Sequence, residues 1–95
     1  MTETLFVFGT LVDRYFTEGL LGHPVQTYSE ELSNYKKVGL NIVESEGDKV
    51  YGVTFEVSKK DLQILDRYEG VKDNFYKRIN VMLDSGEEAI AYQLV

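Results

Sequence analysis

The sequence has no cysteine. That absence removes a disulfide framework, a thiolate zinc site and a cysteine nucleophile together. It has one histidine, His23, so paired-histidine metal sites are excluded and a single imidazole is on hand as a base. Positive charge is scarce: 10 Lys and Arg stand against 16 Asp and Glu, a formal net charge of −6. A nucleic-acid surface works by displacing counterions with positive charge, which this balance opposes. The pair Lys36-Lys37 reads as a solvated strand edge. No apolar run approaches the roughly 20 residues of a membrane helix, and no apolar stretch with a cleavage site opens the chain. The expectation is a cytoplasmic protein that binds neither nucleic acid nor membrane.

What is present is enough for one domain. The 95 residues are 43% apolar, within the globular range. A chain of this size buries roughly 60–65% of the surface its unfolded form exposes, so its core is modest. No repeat, low-complexity tract or linker divides it, and residues 1–95 read as a single domain. Leu5-Phe6-Val7-Phe8 is a continuous apolar run, the pattern of a strand covered on both faces, and Gly9-Thr10 breaks it. Tyr15, Phe16, Leu20 and Leu21 mark a short helix with Asp13 as cap and Gly22 as stop. Between 25 and 44 the alternation is weak; it allows two strands, Val25–Leu32 and Tyr35–Val43, around Ser33-Asn34. Glu46-Gly47-Asp48 reads as a turn.

From Tyr51 the pattern sharpens. Tyr51, Val53, Phe55 and Val57 fall on one strand face. Ser58 can cap a second helix, with Asp61 in the capping-box position; Leu62 and Leu65 form its stripe and Gly70 its stop. Phe75–Leu83 returns to period two, with Ile79, Val81 and Leu83 on one face and Tyr76 and Arg78 on the other. Asp84–Glu87 reads as a hairpin loop, and Ala89–Val95 as the last strand, aligning Ile90, Tyr92 and Leu94. The fold class is α+β, a compact mixed β-barrel or curved sheet with two short helices.

Glu69 is the most informative residue for chemistry. It lies four positions after Leu65 and seven after Leu62, on the buried stripe of a continuing helix. It also falls at the helix C-terminus, where the macrodipole disfavours a carboxylate by roughly 0.3–1 kcal/mol. Burial and dipole both raise a carboxyl pKa, and a glutamate tuned toward neutrality suits general acid/base chemistry at neutral pH. The competing reading is a helix frayed by Arg67, with Glu69 solvated or paired to Lys72 or Arg78. Phe8-Gly9-Thr10-Leu11 is the second feature. Glycine permits a sharp turn and close approach of a ligand, and successive amides before a helix can hold an anion or a carbonyl oxygen; a plain strand-to-helix connection is the alternative. The loop lacks the second glycine and the Lys-Ser/Thr pair of a phosphate loop. Tyr76 and Arg78 on one face could hold a carboxylate-bearing ligand, or could simply be an outer strand face. His23, Asp61 and Asp66 read as surface groups.

Taken in order, Leu5-Phe6-Val7-Phe8-Gly9-Thr10-Leu11, Val50-Tyr51-Gly52-Val53, Leu65-Asp66-Arg67-Tyr68-Glu69-Gly70, Phe75-Tyr76-Lys77-Arg78 and Ala89-Ile90-Ala91-Tyr92 resemble the gamma-glutamylcyclotransferase-like family, including its AIG2-like members. The resemblance implies a mixed β-barrel flanked by helices and an enzyme that releases 5-oxoproline from a gamma-glutamyl amine or peptide without a cofactor or metal. It places the catalytic glutamate on Glu69, the substrate-holding loop on Phe8, Gly9, Thr10 and Leu11, and a substrate contact on Tyr76. Arg78 is carried over as a strand support or a further contact. The implied partner is a small molecule with a gamma-glutamyl group; a non-catalytic binding module on the same scaffold is the alternative. Two departures bear on this. The family's loop usually opens with tyrosine, and Phe8 lacks that hydroxyl. The stretch from Leu11 to Tyr51 is also short, which implies a shallower pocket or one completed by a neighbouring subunit.

Overall fold

The structure is a computed structural model that describes residues 2–95. Its architecture follows from strands that are apolar on both faces. Leu5 and Val7 lie on one face of β1 (Glu3–Val7) and Phe6 on the other, and all three are buried. Such a strand belongs inside a sheet. β1 is accordingly the middle of five, in the order β2-β3-β1-β5-β4, with β2 (Tyr28–Val38), β3 (Asn41–Val57), β4 (Tyr76–Met82) and β5 (Glu88–Leu94). β1 pairs antiparallel with β3 and parallel with β5, while the β2–β3 and β4–β5 pairs are antiparallel hairpins. The sheet is therefore mixed.

Two helices cover one face. Leu21 of α1 (Arg14–Leu21) and Leu62 and Leu65 of α2 (Lys59–Glu69) pack on Leu5, Val7, Phe55 and Val57. The opposite face buries Phe6, Leu32, Ile42, Val50, Val81 and Ala91 with no helix over it. A sheet can bury such a face alone only by curling round it. The curl is closed at its rim: Asp84 N donates to Glu31 O at 2.9 Å, and Ser33 N donates to Asp84 Oδ1 at 3.0 Å, joining the chain after β4 to the opposite edge strand. Lys49 Nζ stands 2.9 Å from Asp84 Oδ2 at the same place. The expected mixed, curved sheet with two short helices is the architecture found.

Local signals set the helix ends. Asp13 accepts from Tyr15 N and Phe16 N. Ser58 Oγ accepts from Asp61 N, and Asp61 Oδ2 accepts from Ser58 N, completing a capping box. α2 runs unfrayed to Glu69, and Gly70 ends it at φ 69°. A Cβ there would meet Phe75 Cδ2 at 2.5 Å, so glycine is required by the backbone and by the packing. The fold also contains a 3-10 turn, Thr10–Val12, which no periodic signal announced.

The middle of the chain departs from expectation. Ser33-Asn34 is not a turn: β2 continues through it, and the reversal falls at Gly39-Leu40, between Val38 and Asn41. Glu46-Gly47-Asp48 is not a turn either. It lies in a bulge of β3 where Asn34 alone faces four residues, Ser45 to Asp48, and Asn34 Oδ1 accepts from Gly47 N at 3.1 Å. Turn-forming residues serve a bulge here, and bulges bend strands. Smaller differences concern burial. Tyr15 and Phe16 are exposed on α1, whose buried residues are Thr17 and Leu21; Tyr51, inside β3, and Leu94, at the end of β5, are exposed as well. Lys36 and Lys37 are exposed on the edge strand β2, as expected.

Candidate active site

The C-terminal end of β1, the last turn of α2 and the β2–β3 hairpin tip enclose a cavity of ≈ 310 Å³. Phe8, Gly9, Thr10 and Leu11 line it together with Glu69 and Tyr76. All six candidate residues chosen from the sequence thus meet in one place. That volume lies at the lower end of the ~300–1,000 Å³ of small-molecule sites. Leu40 at the hairpin tip also lines the cavity.

Glu69 is half-buried, and its carboxylate has no hydrogen bond or ion pair among the described residues. Neither Lys72 nor Arg78 reaches it. Burial alone raises its pKa above the ordinary 4.5, because desolvation penalises the charged form and nothing nearby offsets it. The Tyr76 phenol is likewise held above its usual value, first by burial and then by the charge of Glu69. The two groups therefore lie in each other's field.

The glycine turn is held from behind. Thr17, fully buried on α1, donates Oγ1 to Leu11 O at 2.8 Å. Val12 N and Asp13 N close the turn on Gly9 O and Thr10 O. The amide of Gly9 has no acceptor among the described residues. A Cβ on Gly9 would find nothing nearer than Leu40 Cδ2, at 4.0 Å. Packing does not demand glycine here, since an added methyl would only touch Leu40. The Phe8 ring leans on Phe6, with centroids 6.2 Å apart, and on the cluster inside the curl.

The last turn of α2 is fastened to the sheet by a group of polar contacts. Asp66 Oδ1 accepts from Arg78 Nε at 2.9 Å and from Tyr92 Oη at 2.6 Å, and Asp66 Oδ2 accepts from Arg78 Nη2. Arg78 and Tyr92 are register partners on β4 and β5. Burial pushes the Asp66 pKa up, but the bonds from Arg78 and Tyr92 outweigh it and leave it lowered. Asp66 is thus a tie between helix and sheet, not a surface charge. Its partner Arg78 does not line the cavity. Tyr76 lines the cavity, and its hydroxyl donates to Leu40 O at 3.3 Å.

His23 is exposed, as expected, but Asp61 is not a surface group. Asp61 is 5% exposed. His23 Nε2 lies 2.7 Å from Asp61 Oδ1, and Nδ1 lies 2.9 Å from Pro24 O. Both partners are acceptors, so only the doubly protonated ring satisfies both. The Asp61 bond, then the Pro24 carbonyl, raise the His23 pKa against a smaller effect of burial. The pair joins the chain after α1 to the start of α2, away from the cavity. Tyr92, Tyr68 and Leu40 line the cavity and were missed as site residues; Tyr68 carried the signal of an aromatic next to Glu69, whereas Tyr92 and Leu40 carried none.

Residues 5–94 match the profile of the family described as "Gamma-glutamyl cyclotransferase, AIG2-like". The chain belongs to this family. A bovine (Bos taurus) gamma-glutamylcyclotransferase is 44% identical over 46 residues, a match covering 48% of this chain and 24% of that protein. The chain therefore spans about a quarter of the curated relative it matches. Among solved structures, one named gamma-glutamyl cyclotransferase superposes with a TM-score of 0.85 at 22% identity, covering 100% of this chain and 68% of its own. A Homo sapiens protein described as uncharacterized gives 0.84 at 23% identity, covering 99% and 67%. A solution structure from Arabidopsis thaliana gives 0.81 at 26% identity, covering 100% and 63%. The first two share the fold. No helix among the described residues is long and apolar enough to cross a membrane.

Proposed function

We propose that this protein is a gamma-glutamyl cyclotransferase that releases 5-oxoproline from a gamma-glutamyl amine or peptide, with Glu69 as its general acid/base. One observation carries the reading: an unpartnered, partly desolvated carboxylate lines the same small cavity as the glycine turn. Membership of the cyclotransferase family supports it.

The chemistry needs little more. The α-amine of the gamma-glutamyl group attacks the gamma-carbonyl carbon, a carbon–nitrogen bond forms, and a five-membered ring closes. The original amide bond then breaks, leaving 5-oxoproline and a free amine. Glu69, as carboxylate, takes a proton from the attacking nitrogen; as acid, it delivers that proton to the departing nitrogen. No water is consumed and no electron is transferred, so the balance calls for no cofactor. The cavity's main contribution is to fold the substrate so that amine and carbonyl meet. Such positioning is worth up to ~7–11 kcal/mol, and a proton carrier of this kind adds ~10²–10⁴-fold. In this scheme the amides of Gly9, Thr10 and Leu11 hold the glutamyl carboxylate and oppose the developing oxyanion. Phe8 contributes through backbone and wall, and Tyr76 bounds the substrate.

The test is 5-oxoproline release from a panel of gamma-glutamyl amines and dipeptides. Glu69→Gln is expected to lose at least ~10²-fold in kcat while keeping a cooperative melt. A wild-type protein inactive on every substrate yet stabilised by gamma-glutamyl compounds would instead indicate a binding module.

A further inference from the structure

We propose that the mouth of the Glu69 cavity is an apolar leaving-group subsite, which accepts a primary amine with an uncharged aromatic or hydrocarbon body and rejects one that carries a carboxylate. This deepens the cyclotransferase reading and rests on it.

The first ground is what surrounds the mouth. Beyond the glycine turn the wall is Leu40, Tyr68 and Tyr76. Leu40 is 64% exposed and Tyr68 43% exposed, although both line the cavity. Phe16 of α1, 40% exposed, packs its ring on Tyr68 with centroids 5.7 Å apart at 59°. The two helices thus present a paired aromatic shelf beside the cavity. Solitary exposed apolar residues need no explanation, but a stacked pair continuous with a cavity wall is a surface on which a ring or alkyl chain can be buried.

The second ground is charge. No lysine, arginine or histidine lines the cavity. Arg78 shares the face of Tyr76, but Asp66 occupies its guanidinium. Arg14, on the helix that carries Phe16, lies over the Tyr15 ring at 5.6 Å and 3.9 Å from Glu18 Oε2. The turn amides are assigned to the glutamyl carboxylate. A second carboxylate, on the leaving group, would lose water without gaining a counter-charge and would be repelled by ionised Glu69.

Four gamma-glutamyl substrates separate the two grounds: the methylamide, the phenethylamide, the glycine dipeptide and the phenylalanine dipeptide. The phenethylamide differs from the methylamide by a ring and from the phenylalanine dipeptide by a carboxylate. In kcat/KM for 5-oxoproline release, it is expected to exceed the methylamide by ~10-fold or more, and the phenylalanine dipeptide by ~10²-fold. Tyr68→Ala is expected to lower phenethylamide turnover more than methylamide turnover. Leu40→Arg, at an exposed hairpin tip, is expected to raise the phenylalanine dipeptide relative to the phenethylamide. Equal turnover of phenethylamide and phenylalanine dipeptide, or of phenethylamide and methylamide, would overturn the subsite while leaving the cyclotransferase reading intact. Absence of release from all four would overturn both.

Discussion

At the scale of single residues, the decisive fact is that Glu69 lacks a partner among the described residues. A surface glutamate keeps its water and a buried one usually finds a cation; Glu69 has neither in full. Its folded pKa lies above its unfolded value, so the folded state holds the proton more tightly. Stability from this group is therefore present below about pH 4.5 and is lost as pH rises through the folded pKa. It follows that Glu69→Gln should melt higher than wild type at neutral pH, with the gap closing as pH falls through the folded pKa toward 4.5. Thermal melts across pH 3–8 check this, and a lower melt at neutral pH would show Glu69 to be a structural charge. Gly9 makes the complementary case. A methyl group there clears its neighbours, so Gly9→Ala should fold normally yet raise KM by narrowing the gap to Leu40; unchanged KM would show the gap to be unused.

At the scale of elements, the site depends on ties between pieces distant in sequence. Thr17 holds the glycine turn through Leu11 O. Thr17→Val keeps the shape and strands that carbonyl, which should cost about 1–3 kcal/mol, measurable by urea unfolding, and should raise KM. His23 and Asp61 join the two helical segments. The His23 pKa is raised, so this contribution is full below 6.5 and lost as pH rises through the folded pKa. His23→Ala should accordingly lower the melting temperature below pH 6.5 and have little effect at alkaline pH; a pH-independent loss would mean packing rather than charge. These ties also mark where the sequence could be read. Caps, stops and the Leu62–Leu65–Glu69 stripe are local and legible. The Asp66–Tyr92 and His23–Asp61 bonds span 26 and 38 residues, and periodicity says nothing about which distant elements meet. Asn34 and Gly47 misled for a related reason: their residue types favour irregular backbone, but whether that becomes a turn or a bulge is decided by the strand alongside.

At the scale of the whole molecule, a short chain builds two buried faces from one sheet by curling it, and the cavity sits where β1 leaves that sheet. The curl draws the hairpin tip toward β4 and β5: Leu94 N donates to Asn41 Oδ1 at 2.8 Å and Gln93 Nε2 to Ile42 O at 3.0 Å. This long-range closure is why Leu40, 29 residues before Glu69 in the sequence, forms part of the same wall. Gly52 has no room for a side chain. A Cβ there would lie 2.2 Å from Val7 O, so Gly52→Ala forces β3 away from β1 and should destabilise the fold by ~1–3 kcal/mol or more; chemical denaturation reads this directly.

The account's central claim is that Glu69 carries the proton in ring closure, and its most direct test is the acid limb of the kcat/KM profile set against the carboxyl titration of Glu69 by NMR. The expected result is one shared midpoint, displaced above 4.5, with the NMR transition absent in Glu69→Gln. A Glu69 titration at or below 4.5, or a rate profile indifferent to it, would contradict the claim.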